Sequence, residues 1–262
     1  MDDTKITFED LGRRGYGMYQ LTDGFRFGTD TVLLAWFTAS FIREGQSKKL
    51  LEQGSNCGAC SLLVSARRPE VHIDAVEVDE DACEVFAKNV EDNDLSHKMR
   101  VFIGDVRDLP DAIKQVQYDI VFMNPPFFKK ENGPATDESK KGKLQGKFEE
   151  NGSLEDFIRS GASRLIPTSG LMTIVMTATR ASETIKLMYK YGVKVTHFMS
   201  VHPFPDRKAE MVLLAGRRTE SVPQLEIMPP LILNEHDKET GKVIPSSRIK
   251  DIYDKEHSDC FI

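Results

Sequence analysis

KKLLEQGSNCGACSLLVSARRPEVHIDAVEV, residues 48–78, decides the fold. KKLLE (48–52) is short and apolar at its centre, EQGSNCGAC (52–60) carries turn residues, CGACSLLVSARR has helical spacing, and VHIDAVEV (71–78) returns to a strand pattern. Strand, turn, helix and strand in about 30 residues is the βαβ unit of a parallel sheet. Outward from it the alternation continues. DEDACEVFAKNVEDN predicts the next helix, MRVFIGD (99–105) and YDIVFMN (118–124) the third and fourth strands, SLEDFIRSGASRLI a helix, and GLMTIVMTA (170–178) the fifth strand. ASETIKLMYKYG then predicts a helix, with VKVTHFMSV and EMVLLAGRR as the last two strands. Only HPFPDRKA separates those two, too short for a crossover helix, so they must run antiparallel. The expected fold is α/β and Rossmann-like: a mostly parallel seven-stranded sheet ending in an antiparallel hairpin, with helices on both faces. Residues 1–45 precede the sheet, 46–218 form the main domain, and 219–262 form a charged, proline-containing tail without strong periodicity.

Composition narrows the function. The chain has 262 residues, 40% hydrophobic, enough to bury one large core. No apolar run approaches the roughly 18 residues of a membrane span, and MDDTKITFEDLGRRG lacks a signal-like apolar stretch, so a cytoplasmic protein is expected. The net charge of −6 argues against bulk nucleic-acid binding and confines any such contact to local basic patches. The four cysteines, at 57, 60, 83 and 260, contain one C-x-x-C and no second pair, which points to free thiols and no metal site.

In a sheet of this kind, ligands bind beyond the carboxyl ends of the strands, near the point where strand order reverses. After the first strand, Gly54 and Gly58, with Asn56 between them, form a turn whose N–H groups can face an anionic group. Asn tolerates positive φ, so the turn survives its third non-glycine position. The second strand ends at Glu77, close to the roughly 20 residues beyond the turn at which a carboxylate accepts ribose hydroxyls. Asp105, after the third strand, is placed to accept from a purine amine, although a turn aspartate would read the same. Glu52, Val78 and Val106 flank these positions and belong to the same candidate pocket. Together they describe an adenosine site.

FMNPPFF (122–128) supplies the chemistry. Pro125 and Pro126 fix two successive φ angles after Asn124 and hold the Pro125 carbonyl in one direction. The Asn124 side-chain oxygen and that carbonyl are two convergent acceptors for a planar NH₂, and Phe127 can stack on the ring that carries it.

In this order, the glycine turn, Glu77, Asp105 and NPPF resemble a class I S-adenosylmethionine-dependent methyltransferase of the amino-methylating group, over about residues 8–217. FRFGTDTVLLAWF (25–37), RKAEMVLLAGRR and ILNEHDKETGKVIPSSRIKDIY are similar to the bacterial tRNA(Val) adenine N6-methyltransferases, which act in the anticodon loop. The resemblance implies S-adenosylmethionine as cofactor, tRNA as partner, no metal, and a wall of the cofactor pocket built from the segment before the first strand, with Thr29 and Asp30 as its candidates. Two departures stand out: Asn56 replaces a usual glycine, and Lys147 stands where relatives often carry Arg. FKKENGPATDESKKGKLQGKF (128–148) carries six lysines against three acids, so Lys129, Lys130, Lys140, Lys141, Lys143 and Lys147, with Arg207 and Lys208, are the candidate RNA contacts; a solvated insertion would look the same. His202 is expected in a turn and Trp36 in the core. Other planar amines, such as a guanine or adenine of ribosomal RNA or a glutamine amide, stay open as substrates. So do a nicotinamide oxidoreductase, which leaves NPPF unexplained, and a non-catalytic nucleotide-cofactor-binding module.

Overall fold

The computed structural model describes residues 5–127, 152–221 and 223–254. In chain order the strands and helices are β1 (Ile6–Asp10), β2 (Gly17–Leu21), α1 (Thr29–Ser40), β3 (Lys49–Gln53), α2 (Ala59–Arg67), β4 (His72–Glu77), α3 (Glu80–Asp92), β5 (Met99–Ile103), α4 (Asp111–Lys114) and β6 (Ile120–Met123). They continue with α5 (Leu154–Arg164), β7 (Leu171–Thr177), α6 (Ala181–Lys190), β8 (Val193–His202) and β9 (Met211–Arg218). Four short strands, β10 (Glu226–Ile227), β11 (Leu231–Ile232), β12 (Asn234–His236) and β13 (Val243–Pro245), precede α7 (Ser247–Tyr253).

The seven long strands run in the order β5-β4-β3-β6-β7-β9-β8. β3, β4, β5, β6 and β7 pair in parallel, and β9 is antiparallel to both β7 and β8. The chain builds outward from β3 to β5 and then crosses back to β6, so the strand order reverses between β3 and β6 and opens a crevice at their carboxyl ends. Helices α1, α2, α3 and α7 contribute to a core that contains Trp36, Phe37 and Phe86, while α4, α5 and α6 contribute to a second core around Tyr118, Met123 and Met188. β6 is buried at every residue, as a central parallel strand covered on both faces must be. α5 starts on a capping box in which the Ser153 hydroxyl accepts from Asp156 N (3.2 Å) and the Asp156 carboxylate accepts from Ser153 N (3.0 Å). Among the described residues no helix is long and apolar enough to cross a membrane.

Two regions are more structured than periodicity implied. β1 and β2 form an antiparallel hairpin within the segment read only as preceding the sheet. Its exposed edge is met by two asparagines one helical turn apart, Asn89 on α3 and Asn93 just past its end. Asn89 donates to the carbonyls of Tyr19 and Cys57 (2.9 Å each) and accepts from Tyr19 N (2.7 Å), and Asn93 exchanges hydrogen bonds with the backbone of Gly17. These amides take the place of a third strand and hold the hairpin above the turn after β3. The segment read as a tail adds β10 and β11 in parallel to β8, raising the sheet to nine strands, and its α7 buries Ile249 and Ile252 in the first core. The Ile252 carbonyl accepts from Arg13 and Arg67 (2.9 and 2.6 Å), tying both chain ends to α2. Two-residue strands are too short to leave a period in the sequence.

Candidate active site

A cavity of about 470 Å³ opens at the carboxyl ends of β3, β4 and β6, within the range of small-molecule sites. Its floor is the turn after β3. Gly54 (φ +70°), Asn56 (φ +47°) and Gly58 (φ +88°) all lie in the left-handed region, and the N–H groups of Gly54 and Ser55 donate to the Val76 carbonyl (2.9 and 3.2 Å). Gly58 has no room for a side chain, because a Cβ there would lie 2.1 Å from the Phe86 ring. Asn56, the departure from glycine, is accommodated by its own side chain: Nδ2 donates to the Phe25 carbonyl (3.2 Å) and Oδ1 accepts from Cys57 N. The amide thereby ties the turn to the segment preceding α1.

Two carboxylates bracket this turn. Glu77 closes β4 and accepts from the N–H groups of Asn56 (2.8 Å), Val78 (2.8 Å) and Asp79 (3.1 Å). Desolvation raises its pKa, opposed by those backbone donors. Asp79, which also lines the cavity, caps α3 by accepting from Ala82 N. Glu52, at 4% exposure, accepts from the Ser61 backbone N–H (3.1 Å) and hydroxyl. Burial pushes its pKa up to about 8, with the Ser61 hydrogen bonds opposing and the charge of Glu77 adding to the rise.

Asn124, Pro125, Pro126 and Phe127 form the opposite wall. The Asn124 amide Nδ2 donates to Asp30 Oδ2 (2.9 Å), and Arg180, from the turn after β7, donates to the carbonyls of Pro126 and Phe127 (3.4 Å each). The Pro125 carbonyl and Asn124 Oδ1 have no donor among the described residues.

Asp30, Glu52, Gly54, Asn56, Glu77, Val78, Val106 and residues 124–127 thus line one cavity. Three other candidates do not line it. Gly58 shapes the turn from behind, and Thr29 faces α7, where its hydroxyl accepts from Tyr253 (3.5 Å), while Thr31 takes the wall position. Asp105 turns to Arg107, whose guanidinium hydrogen bonds hold its pKa below the usual range, and the flanking Gly104 and Val106 line the cavity in its place. An arginine two residues on captures a short carboxylate locally. Phe25, Phe27, Gln20 and Phe157 also line it; Phe25 and Phe27 lie within FRFGTD, and Gln20 and Phe157 carry no motif signal.

β8 runs parallel to β6, so the loop after it, with exposed Arg207 and Lys208, stands at the same edge of the sheet. Lys129, Lys130, Lys140, Lys141, Lys143 and Lys147 lie outside the described residues. His202 is a turn residue, contacting the Arg207 carbonyl (2.7 Å) and the Ser200 hydroxyl (3.0 Å), and Trp36 is 1% exposed in the core. Cys57, Cys60 and Cys83 are buried free thiols; burial pushes Cys57 up to about 11. No cluster of three or more His, Cys, Asp or Glu is placed to hold a metal among the described residues.

Residues 25–139 match the Methyltransferase small domain family. The chain is 26% identical over 203 residues to the tRNA1(Val) (adenine(37)-N6)-methyltransferase of Phocaeicola vulgatus, covering 76% of this chain and 80% of the relative. It is 27% identical over 192 residues to the enzyme of the same name from Erwinia tasmaniensis, covering 72% and 74%. Among solved structures it is similar to a predicted O-methyltransferase from Agrobacterium tumefaciens (TM-score 0.64, 20% identity, 85% of this chain and 97% of that one). It is also similar to the tRNA m1G37 methyltransferase of M. jannaschii (TM-score 0.57, 16% identity, 83% and 58%). At those identities the structures speak to fold alone. Residues 25–139 are thus similar to the Methyltransferase small domain, and the sheet around them has the Rossmann-like fold of these solved methyltransferases.

Proposed function

We propose that this chain is an S-adenosylmethionine-dependent methyltransferase that methylates N6 of an adenine in tRNA. The observation that carries the reading is the pair of acceptors, Asn124 Oδ1 and the Pro125 carbonyl, that meet no donor among the described residues, at the wall of a cavity that Glu52 and Glu77 also line. Those carboxyl groups suit the cofactor. Glu77 would hold the ribose hydroxyls, and the turn at 54–58, with Glu52 beneath it, would face the methionine portion. When bound, S-adenosylmethionine supplies an electrophilic methyl on a positively charged sulfur.

The protein's own work is positioning and charge stabilisation. Asn124 Oδ1 and the Pro125 carbonyl accept the two N–H groups of the amine, which draws its lone pair out of the ring plane and compensates the positive charge that develops on nitrogen. Phe127, against the second core, offers a face for the adenine ring. An adenine in a single-stranded loop can be splayed into such a pocket at little cost. The curated relatives carry the same activity in their names, which supports tRNA as the substrate. Arg207 and Lys208 would meet phosphates at the same sheet edge, with the lysines of 129–147 as further contacts. In this reading residues 46–218 are the catalytic domain, 1–45 an extension over the cofactor, 219–262 a C-terminal addition, and the protein works in the cytoplasm where tRNA is found.

Methyl transfer from labelled cofactor to bulk tRNA, ribosomal RNA and release factor tests the substrate. Incorporation as N6-methyladenosine in tRNA is expected, and label confined to another acceptor would replace the reading. Asn124→Ala should abolish transfer while S-adenosylhomocysteine binds as before, because the lost acceptor serves the amine and not the cofactor. Equal loss of binding and transfer would make Asn124 a structural residue.

A further inference from the structure

Asn124 can serve the amine only in one of its two orientations. The side-chain amide has an accepting oxygen on one arm and a donating NH₂ on the other, nearly equal in size, so a half-turn would present donors to the incoming N–H groups. Nothing in the NPPF run itself selects between the two. The selection comes from the first turn of α1, 94 residues earlier in the chain: Asp30 Oδ2 takes the Nδ2 of Asn124 at 2.9 Å. A carboxylate oxygen that accepts in this way holds the NH₂ arm, which turns Oδ1 to the side on which no donor meets it among the described residues. Gly28 leaves this carboxylate room, since a Cβ at residue 28 would lie 3.1 Å from Asp30 Oδ1. Further along the run, Arg180 donates to the carbonyls of Pro126 and Phe127, whereas the Pro125 carbonyl meets no donor among the described residues.

We propose that Asp30 is a positioning residue for catalysis, which fixes the amide of Asn124 with its oxygen toward the substrate amine and does not act as a ligand of the cofactor. The proposal rests on the reading of the site as an amine methyltransferase. It accounts for an acid at the first turn of α1 by a contact that crosses from the N-terminal segment to the reacting edge of the sheet.

Asp30→Ala should lower kcat about 10- to 100-fold, the scale of a misplaced reacting group, while the RNA KM and the Kd for S-adenosylhomocysteine change by less than about twofold. Asn124→Asp alone sets two carboxylates against each other and should be inactive. The exchange Asp30→Asn with Asn124→Asp restores a donor-acceptor pair with an oxygen facing the amine, and should exceed Asn124→Asp by at least about tenfold. A Kd that weakens in step with kcat in Asp30→Ala, or an exchanged pair no better than Asn124→Asp, overturns the proposal. A second readout does not depend on activity. The side-chain ¹⁵N–¹H₂ signals of Asn124, assigned by their loss in Asn124→Ala, should shift and exchange faster with solvent in Asp30→Ala, and unchanged signals overturn the contact. If the wild-type protein methylates nothing, the proposed function falls, and the amide signals alone decide the role of Asp30.

Discussion

Strands β3 and β4 and their flanks present buried carboxyl groups in two contrasting settings. Asp74, within β4 and 3% exposed, is fully paired: it accepts from Arg100 Nε and Nη2 (2.8 and 2.9 Å) on neighbouring β5 and from the Tyr118 hydroxyl (2.8 Å). Glu52 and Glu77, at the carboxyl ends of β3 and β4, accept only from backbone N–H groups and a serine, and no cation pairs with either among the described residues. Desolvating a carboxylate is costly unless a charge or several hydrogen bonds compensate. The fold compensates Asp74 from within. At the other two no cation supplies that compensation among the described residues, and this is what sets them apart from Asp74.

The largest expected departure is at Glu52. The unfolded chain loses the Glu52 proton near pH 4.5, whereas the folded chain keeps it until about pH 8, so the folded state binds more protons in that window and its stability falls as pH rises through it. Glu52→Gln removes this dependence. Between pH 5 and 8 the variant should gain on the wild type by on the order of 4 kcal/mol, at ~1.4 kcal/mol per unit of displacement, in urea unfolding. Parallel curves for the two proteins would erase the distinction drawn here.

Next in size is Asp74→Ala, which leaves the buried Tyr118 hydroxyl without its acceptor and should cost about 3 kcal/mol of unfolding free energy with cofactor affinity unchanged. A loss of affinity would mean that the paired acid also belongs to the site. Smallest is Glu77→Ala. It should weaken S-adenosylhomocysteine binding by about 2 kcal/mol by calorimetry, and an unaltered Kd would remove Glu77 from the ligand.

The legible parts of the site share one property: their signal is local. NPPF needs only its own prolines to aim a carbonyl, and Gly54, Asn56 and Gly58 announce positive φ within five residues. Glu77 was found by counting from that turn. Asp105 misled because its fate depended on Arg107, and a carboxylate at a strand end reads the same whether it faces a ligand or a neighbour. Thr29 and Thr31 differ only in which side of α1 meets the cavity. The β1–β2 hairpin escaped notice because the groups completing its edge, Asn89 and Asn93, sit some 70 residues away, on α3 and just past its end.

By itself the sequence determined the alternation of strands and helices and the stiff acceptor run at the end of β6, because periodicity, φ restriction and turn chemistry act between near neighbours. Only the tertiary structure decided which carboxyl groups stay uncompensated, which side of α1 lines the cavity, and that Asp30 meets Asn124. Those outcomes depend on desolvation and hydrogen-bond partners brought together from distant parts of the chain, and no spacing in the sequence encodes them.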